Sequence, residues 1–278
     1  MAARTILVTG CSSGIGLASV RLLRERGWRV FATCRKERDS DHLREEGFES
    51  WRLDHEEEAS VSAGAARALA LADGKLDAVF LNGAWALPGP AEDLPREGLR
   101  AIFEANLFGP HQLASAVIPA MRKQGKGRIV FCSSVLGLAA APYRGAYNAT
   151  KFALEGMADT MRLELKGSGI DVILIEPGPI LTPFRKNARR PYERWMLPIK
   201  EESAHPEEMW RKVEKRLYKD KEGGRFDLKP EAVARKLVRA LDAEKPPARV
   251  FVTTPTYAAN LFRRILPTRA LDRIMGGR

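Results

Sequence analysis

The sequence has few cysteines and no long apolar run. Its three cysteines, Cys11, Cys34 and Cys132, are widely separated, so neither a disulfide framework nor a clustered zinc site is indicated. No stretch approaches the roughly 20 apolar residues that a membrane-spanning helix needs. An apolar segment begins already at Thr5, which leaves no room for the regions of a signal peptide. We therefore expect neither a secreted nor an integral membrane protein, and a cytoplasmic location.

An excess of acidic residues is also absent, and the excess of basic ones is confined to the last third of the chain. Residues 1–184 hold 22 basic and 22 acidic side chains, whereas residues 185–278 hold 24 basic and 13 acidic ones. No zinc-finger spacing or aromatic RNA-binding signature accompanies this charge, so we expect no nucleic-acid partner. A basic segment that covers a substrate or contacts a surface fits better, and a solvated basic face is the alternative.

Short β-branched runs alternate with longer helical patterns along the first 184 residues. The chain is long enough for one large α/β domain, or for two of about 140 residues. The runs that indicate buried parallel strands are Thr5–Thr9, Arg29–Thr33, Leu76–Asn82, Arg128–Cys132 and Asp171–Glu176. Phe48–Leu53 is a weaker candidate, and Ala248–Thr253 is the predicted last strand. Amphipathic stretches lie at about 15–27, 56–72, 96–124, 146–167 and 230–243. This order predicts an α/β fold over residues 1–278, a single Rossmann-type doubly wound parallel sheet with helices on both faces.

A long polar segment interrupts this alternation after the sixth strand. Residues 184–228 are rich in Arg, Lys, Glu, Pro and Trp, and Glu207–Asp220 has helical composition. Long excursions at the carboxyl edge of a parallel sheet are typical of substrate lids, so we predict a C-terminal lid insert here. Residues 246–278 would then form the last strand and a basic tail.

A glycine-rich turn follows the first predicted strand. Gly10, Gly14 and Gly16 are spaced G-x-x-x-G-x-G at the first strand-to-helix junction. Glycine permits a sharp turn and a close approach of phosphate, and the helix N-terminus offers free N–H groups to a pyrophosphate. Tight turns also use glycine only for packing. The position in the sheet favours a bound dinucleotide.

The residues after the second strand indicate which dinucleotide. A carboxylate at this point would bind the ribose 2′-hydroxyl of NAD, whereas an arginine accommodates the 2′-phosphate of NADP. This chain has Arg35 and Lys36, and no carboxylate before Glu37. The alternative is a pair of solvated surface cations. We expect NADP(H) as the cofactor.

Tyr147 and Lys151 are four residues apart at the start of a predicted helix, so they share one face. A phenol with an ordinary pKa near 10 is a poor acid or base at neutral pH. A nearby ammonium group stabilises the phenolate and should lower the pKa of Tyr147 into a working range.

Six motifs occur in an order and spacing that identify a resemblance. They are TGCSSGIG, LDAVFLNGA, EANLFG, GRIVFCSSVLG, YNATK and IEPGPILT. With these motifs the chain resembles the short-chain dehydrogenases/reductases, closely over residues 5–184 and loosely beyond. Within that family it resembles the branch of hydroxysteroid and retinol dehydrogenases and bacterial NADPH aldehyde reductases.

The resemblance implies a catalytic tetrad and a cofactor cradle. Tyr147 would be the general acid or base, Lys151 would bind the nicotinamide ribose, Ser134 would hydrogen-bond the substrate oxygen, and Asn106 would bend its helix and hold a relay water, with no metal required. The implied cofactor-binding residues are Gly10, Ser12, Ser13, Gly14, Ile15, Gly16, Arg35, Lys36, Leu53, Asp54, Asn82, Gly83, Ala84, Tyr147, Lys151, Pro177, Gly178, Ile180 and Thr182.

One departure from the family pattern affects the cofactor side. The family's N-A-G reads Asn82-Gly83-Ala84 here, and alanine would be strained if position 84 needed a glycine conformation.

The implied activity is NADPH-dependent interconversion of a carbonyl compound and its alcohol. An apolar lining of Val135, Leu136, Pro142, Tyr143 and Pro179 favours a lipophilic aldehyde or ketone, although these residues could also be core. A non-catalytic NADP(H)-binding regulator and a peripheral membrane-associated dehydrogenase are the alternatives.

The role of the C-terminal tail has three alternatives. Its basic amphipathic sequence could pack on the body, contact another subunit or lie on an anionic membrane, and packing or a subunit contact is favoured. The family resemblance implies a homodimer or homotetramer.

Overall fold

The structure, a computed structural model, describes residues 3–219 and 223–276. Seven parallel strands form one sheet in the order β3-β2-β1-β4-β5-β6-β7. They are β1 (Thr5–Thr9), β2 (Arg29–Cys34), β3 (Glu49–Arg52), β4 (Ala78–Leu81), β5 (Gly127–Cys132), β6 (Ile170–Glu176) and β7 (Arg249–Phe251). The chain order reverses between β1 and β4. Doubly wound sheets bind their ligands in the crevice at such a reversal, outside the carboxyl ends of the strands.

Seven helices of the described part of the chain cover the two faces of the sheet. They are α1 (Gly14–Glu25), α2 (Glu37–Glu45), α3 (Glu58–Leu71), α4 (Arg96–Phe103), α5 (Gly109–Gln124), α6 (Gly145–Glu164) and α10 (Glu231–Asp242). The predicted α/β fold, with helices on both faces of a parallel sheet, is therefore confirmed. The α2 helix was not predicted, because its sequence ERDSDHLRE carries almost no apolar periodicity and buries only Ser40 and Leu43.

The period-two alternation of the strands divides the apolar residues between the two faces. Leu7 belongs to a cluster that α3, α5 and α6 cover, whereas Ile6 and Val8 belong to a second cluster against α1 and α10. Every residue of β1 is buried. Burial on both faces explains why these strands read as continuous apolar runs instead of alternating ones.

The predicted helix at 96–124 is interrupted. One turn of π-helix, Glu104–Phe108, separates α4 from α5. A π-turn inserts one residue into the i→i−4 ladder and is frequent at functional sites. The interruption contains Asn106, the residue for which the family resemblance implies a bent helix.

The 184–228 segment folds into short helices that pack beside the sheet's carboxyl edge. They are α7 (Phe184–Asn187), α8 (Arg189–Trp195) and α9 (Glu207–Leu217). Tyr192, Met196 and Trp210 are fully buried in a third apolar cluster, which also includes Leu136 and Tyr147. The segment thus has its own apolar core, continuous with the site region.

The C-terminal tail is helical, which its sequence did not make clear. It contains α11 (Thr254–Ile265) and α12 (Thr268–Gly276). Within the described ranges 3–219 and 223–276, no helix combines the length and the apolar character needed to cross a membrane.

Candidate active site

The glycine-rich turn brings β1 and the start of α1 into close backbone contact. Gly10 has φ +70°, a conformation that favours glycine. A Cβ at Gly16 would lie 2.2 Å from the Gly10 carbonyl oxygen, so no larger residue fits there. The N-cap residue Ser13 makes no side-chain cap, and the first turn of α1 holds no acidic residue. Backbone donors and the positive end of the helix dipole are therefore compatible with a pyrophosphate.

Asn82 joins this turn to the end of β4. Its Nδ2 donates to the carbonyl oxygens of Thr9 and Gly10 at 3.1 and 3.3 Å, and its backbone N–H donates to Thr9 Oγ1 at 3.0 Å. These bonds fix the two loops on either side of the crevice. The predicted cofactor residues after β1 and β4 are thus held as one unit.

Gly83 and Ala84, which stand in reversed order compared with the family's N-A-G, adopt unstrained backbone conformations. Among the described non-glycine residues only Asp73 and Tyr143 have positive φ, so the strain predicted for Ala84 is absent. A Cβ at Gly83 would lie 3.2 Å from Cε1 of His55. Since His55 is buried, its imidazole takes the volume that a larger residue at 83 would need. Burial also lowers the pKa of His55 to about 4, which keeps this ring neutral.

Arg35 follows β2 directly and pairs with a carboxylate. Its Nη1 lies 3.8 Å from Oε1 of Glu56, and about half of the Arg35 side chain is exposed. The same Glu56 oxygen accepts a hydrogen bond from Trp85 Nε1 at 3.0 Å. Lys36 is the N-cap residue of α2. Both predicted phosphate-binding cations therefore lie at the carboxyl edge of the sheet.

The residues after β3 combine packing with local hydrogen bonding. Leu53 is buried in the core, whereas Asp54 is partly accessible. Oδ1 of Asp54 accepts from the Glu56 backbone N–H at 3.1 Å, and the Asp54 N–H donates to Ser60 Oγ at 3.0 Å. The carboxylate is thereby oriented beside the crevice where the family resemblance implies an adenine.

Asn106 holds the backbone of Trp85 from inside the π-turn. Its Oδ1 accepts from the Trp85 N–H at 3.0 Å, and its Nδ2 donates to the Trp85 carbonyl at 2.9 Å and to Thr150 Oγ1 at 3.2 Å. Asn106 is 1% exposed. The side chain therefore links the loop after β4 to the helix that carries Tyr147, a positioning role that the sequence did not reveal.

Tyr147, Ser134 and Lys151 lie together at the ends of β5 and α6. Lys151 Nζ lies 5.5 Å from the centre of the Tyr147 ring, and the Ser134 side chain is close enough to the phenol to lower its pKa. Lys151 Nζ donates to the Cys132 carbonyl at 2.7 Å. Ser134 Oγ accepts from the Leu136 N–H at 3.1 Å. Three of the four predicted tetrad residues therefore share one site, and Asn106 adjoins it through Thr150 of α6.

The expectation of a lowered pKa for Tyr147 is wrong in this structure. Burial raises the pKa of the Tyr147 phenol above its ordinary value, and the nearby Cys132 adds to this shift. The nearby Ser134 hydroxyl and the charge of Arg144 oppose the shift without overcoming it. Burial also lowers the pKa of Lys151. Desolvation thus outweighs the nearby cations, and Tyr147 is a protonated phenol at neutral pH.

The loop after β6 closes over the glycine-rich turn and anchors the 184–228 segment. A Cβ at Gly14 would lie 2.9 Å from Cγ2 of Thr182, so the two loops are in contact. The Leu181 N–H donates to the Leu228 carbonyl at 2.9 Å, and the Leu228 N–H donates to Pro179 at 3.2 Å. Pro177, Gly178 and Ile180 lie in the same loop. Both ends of the segment are therefore fixed at the site.

Two aromatic contacts join the 184–228 segment to the site. Phe184 packs edge-on against Tyr147 with 5.4 Å between ring centroids. Trp195 stacks on Trp85 at 5.5 Å with an interplanar angle of 8°. Sequence reasoning missed both contacts, and it missed Arg144. The position of Arg144, three residues before Tyr147 at the start of α6, is the one local signal that could have identified it.

The predicted apolar lining is only partly brought together. Val135 and Leu136 pack in the third cluster, whereas Pro142 and Pro179 are exposed and Tyr143 is 40% exposed. Leu136 thus belongs to the hydrophobic core, as well as being a predicted lining residue of the substrate site. Trp85 is buried in the same cluster, and Phe184 and Trp195 are partly buried against it, which the sequence did not indicate.

Comparison with known proteins agrees with this geometry. Residues 4–193 match the short chain dehydrogenase family. The chain is 39% identical over 274 residues to the uncharacterized oxidoreductase YbbO of Escherichia coli, with 99% of this chain and 94% of that protein covered. It is 31% identical to human 17-beta-hydroxysteroid dehydrogenase type 1, with 91% and 78% covered.

A solved structure supports the fold. The short chain dehydrogenase/reductase from Burkholderia phymatum, determined in complex with NAD, superposes with a TM-score of 0.76 at 23% identity, with 99% of this chain and 96% of that chain covered. The protein is an oxidoreductase of the short chain dehydrogenase family.

Proposed function

We propose that this oxidoreductase uses NADPH to interconvert a lipophilic aldehyde or ketone and the corresponding alcohol. The observation that carries the choice of cofactor is Arg35, the first residue after β2, whose half-exposed guanidinium lies at the carboxyl edge. A guanidinium binds phosphate bidentately, and no carboxylate lies between the end of β2 and Glu37. The pair with Glu56 keeps Arg35 oriented beside the crevice.

The residues of the crevice fit a dinucleotide phosphate. The contact of Gly16 with the Gly10 carbonyl leaves no side chain between the turn and an approaching pyrophosphate. Gly10 to Gly16 would hold the pyrophosphate, Arg35 and Lys36 the 2′-phosphate, and Asp54 the adenine. Asn82, Gly83 and Ala84 would line the adenosine side, and the loop from Pro177 to Thr182 the nicotinamide side. When bound, NADPH supplies the hydride.

The protein's own contribution is to hold a proton where the carbonyl oxygen becomes negative. Tyr147 holds its proton at neutral pH because burial raises its pKa, so it is in the protonation state that a general acid for carbonyl reduction needs. Ser134 can donate a second hydrogen bond to the same oxygen. Lys151 and Arg144 place positive charge beside the phenol, which favours proton release as charge develops.

A lipophilic substrate is supported by the aromatic side chains around Tyr147. Phe184 contacts the phenol, and the stacked pair of Trp85 and Trp195 continues the apolar surface. Apolar pockets with a few convergent polar groups are typical of sites for small lipophilic molecules. The 184–228 segment, which supplies Phe184 and Trp195, would act as the substrate lid.

The test follows the absorbance of NADPH, with NADH in parallel, against a panel of lipophilic aldehydes and ketones. We expect turnover with NADPH that is lost in Tyr147→Phe, while cofactor binding persists. NADPH binding without any turnover would favour the regulator that shares this fold. Equal turnover with NADH, or no binding of either cofactor, would contradict the role proposed for Arg35 and the glycine turn.

A further inference from the structure

The C-terminal helices α11 and α12 carry a strongly basic surface. Residues 254–276 contain four arginines, Arg263, Arg264, Arg269 and Arg273, against one acidic residue, Asp272. All four arginines are exposed. This cluster accounts for part of the basic excess of the last third of the chain, which the proposed activity leaves unexplained.

The same helices expose an apolar stripe. Tyr257, Leu261 and Ile265 follow one another at intervals of four residues, so they lie along one face of α11, and they are 52%, 54% and 62% exposed. Ile274 of α12 is 52% exposed. Large apolar side chains that are exposed next to one another mark interaction sites more often than scattered ones do.

Packing on the body of the protein covers part of Tyr257, whose ring contacts Phe251, but it leaves Leu261 and Ile265 exposed. Only Thr256 and Ala259 of α11 are buried, and no residue of α12 is. Arg263 lies over the Phe152 ring of α6 at 5.4 Å, so this arginine faces the body of the protein. Of the three roles open for the tail, packing against its own body therefore does not cover Leu261 and Ile265.

A second copy of the chain and an anionic membrane are the two remaining candidates for contact with this face, and the arginine charge distinguishes them. A symmetric contact between two copies through this face would bring six arginines together, Arg264, Arg269 and Arg273 from each copy, and like charges across an interface oppose association. An anionic lipid surface attracts the arginines by charge, and its apolar interior accepts the apolar stripe. We propose that α11 and α12 form a docking surface for an anionic membrane surface.

The docking surface begins beside the candidate active site. A Cβ at Gly178 would lie 2.1 Å from Thr253 Oγ1 and 3.0 Å from Thr256 Oγ1, so the first turn of α11 contacts the loop after β6. If the substrate is lipophilic, as proposed above, it partitions into the bilayer on which α11 lies. This consequence rests on the proposed function, whereas the docking itself does not.

The experiment measures co-sedimentation of the full chain with vesicles, without substrate or cofactor. The vesicles consist of phosphatidylcholine alone or with about a third of phosphatidylglycerol. We expect binding to the anionic vesicles only, and its loss at about 0.5 M salt because exposed charges are then screened. Turnover is assayed separately, so failure of the proposed activity leaves this result interpretable.

Three double variants separate the contributions. Arg269→Gln with Arg273→Gln should weaken binding roughly 25-fold, about five-fold for each charge. Leu261→Glu with Ile265→Glu should abolish it. The matched control, Lys212→Gln with Lys215→Gln, removes the same charge from exposed positions on α9 and should leave binding unchanged.

Three results would overturn the proposal. The first is no sedimentation of the unaltered protein with anionic vesicles at low salt. The second is an equal loss of binding in the α9 control, which would show a response to net charge alone. The third is a concentration-dependent dimer that dissociates in Leu261→Glu with Ile265→Glu, which would make a second copy the occupant of this face. Unchanged circular dichroism of each variant establishes that the fold is retained.

Discussion

Glu176→Gln should remove a pH dependence of stability that the unaltered protein shows near neutral pH. Glu176 is the last residue of β6 and is 0% exposed. Arg249 of β7 donates to Glu176 Oε1 at 2.6 Å, and the same nitrogen, Nη1, also pairs with buried Glu155. Two buried carboxyl groups thus face one guanidinium, and one of them retains a proton. Burial and the neighbouring Glu155 raise the pKa of Glu176 to about 8.

The sign of the effect follows from linkage. An unfolded glutamate has a pKa of about 4.3, so between that value and about 8 the folded state binds an extra proton. The free energy of unfolding is therefore highest below the unfolded pKa and decreases as the pH rises through 8. Between pH 7 and pH 8 the decrease from Glu176 is about 1 kcal/mol, or roughly 2–4 °C in Tm for a chain of this size.

The assay compares thermal and urea denaturation at pH 7 and pH 8 for the unaltered protein and Glu176→Gln. Glutamine resembles the protonated acid, so it keeps the hydrogen bonds and cannot titrate. Because Glu155 and Glu176 interact by charge, the difference between the two pH profiles reports the titration of this carboxyl pair. Glu164→Gln makes the same chemical change at an exposed position of α6 and should leave the profile unaltered. Parallel profiles for the unaltered protein and Glu176→Gln would refute the reasoning.

Three further predictions concern the site. Arg35→Ala should raise the KM for NADPH roughly 10- to 100-fold and leave that for NADH unchanged, because a charge-assisted hydrogen bond contributes about 1.5–3 kcal/mol; equal effects on both would contradict the 2′-phosphate role. Asn106→Ala should lower the free energy of unfolding by about 2–4 kcal/mol, since the Trp85 N–H and C=O lose their buried partner, and urea denaturation measures this. Trp195→Ala should raise the substrate KM more than it lowers kcat, because the stack on Trp85 is lost; steady-state kinetics would reveal an unchanged KM if the stack were unimportant.

The strands of the sheet and the order of the site motifs could be predicted from local sequence patterns. Strands such as β1 are encoded by short apolar runs, and the glycine turn, Arg35 and Tyr147 follow strands or open helices at fixed offsets. All of these signals extend over only a few neighbouring residues. Because parallel strands align their carboxyl ends, the topology then brings their following residues to one edge without further information. The helix α2 was missed because a polar surface helix has no such local signal.

The contacts within the site and the pKa values of its side chains depend on tertiary packing. Glu56 approaches Arg35 and Trp85, and Arg249 reaches Glu155 from 94 residues away in the sequence. The pKa of Tyr147 rises instead of falling because burial by the surrounding chain outweighs the nearby cations. The exposed stripe on α11 likewise became visible only when the body left it uncovered. Desolvation and long-range contact depend on which distant segments pack together, and a local pattern does not contain that information.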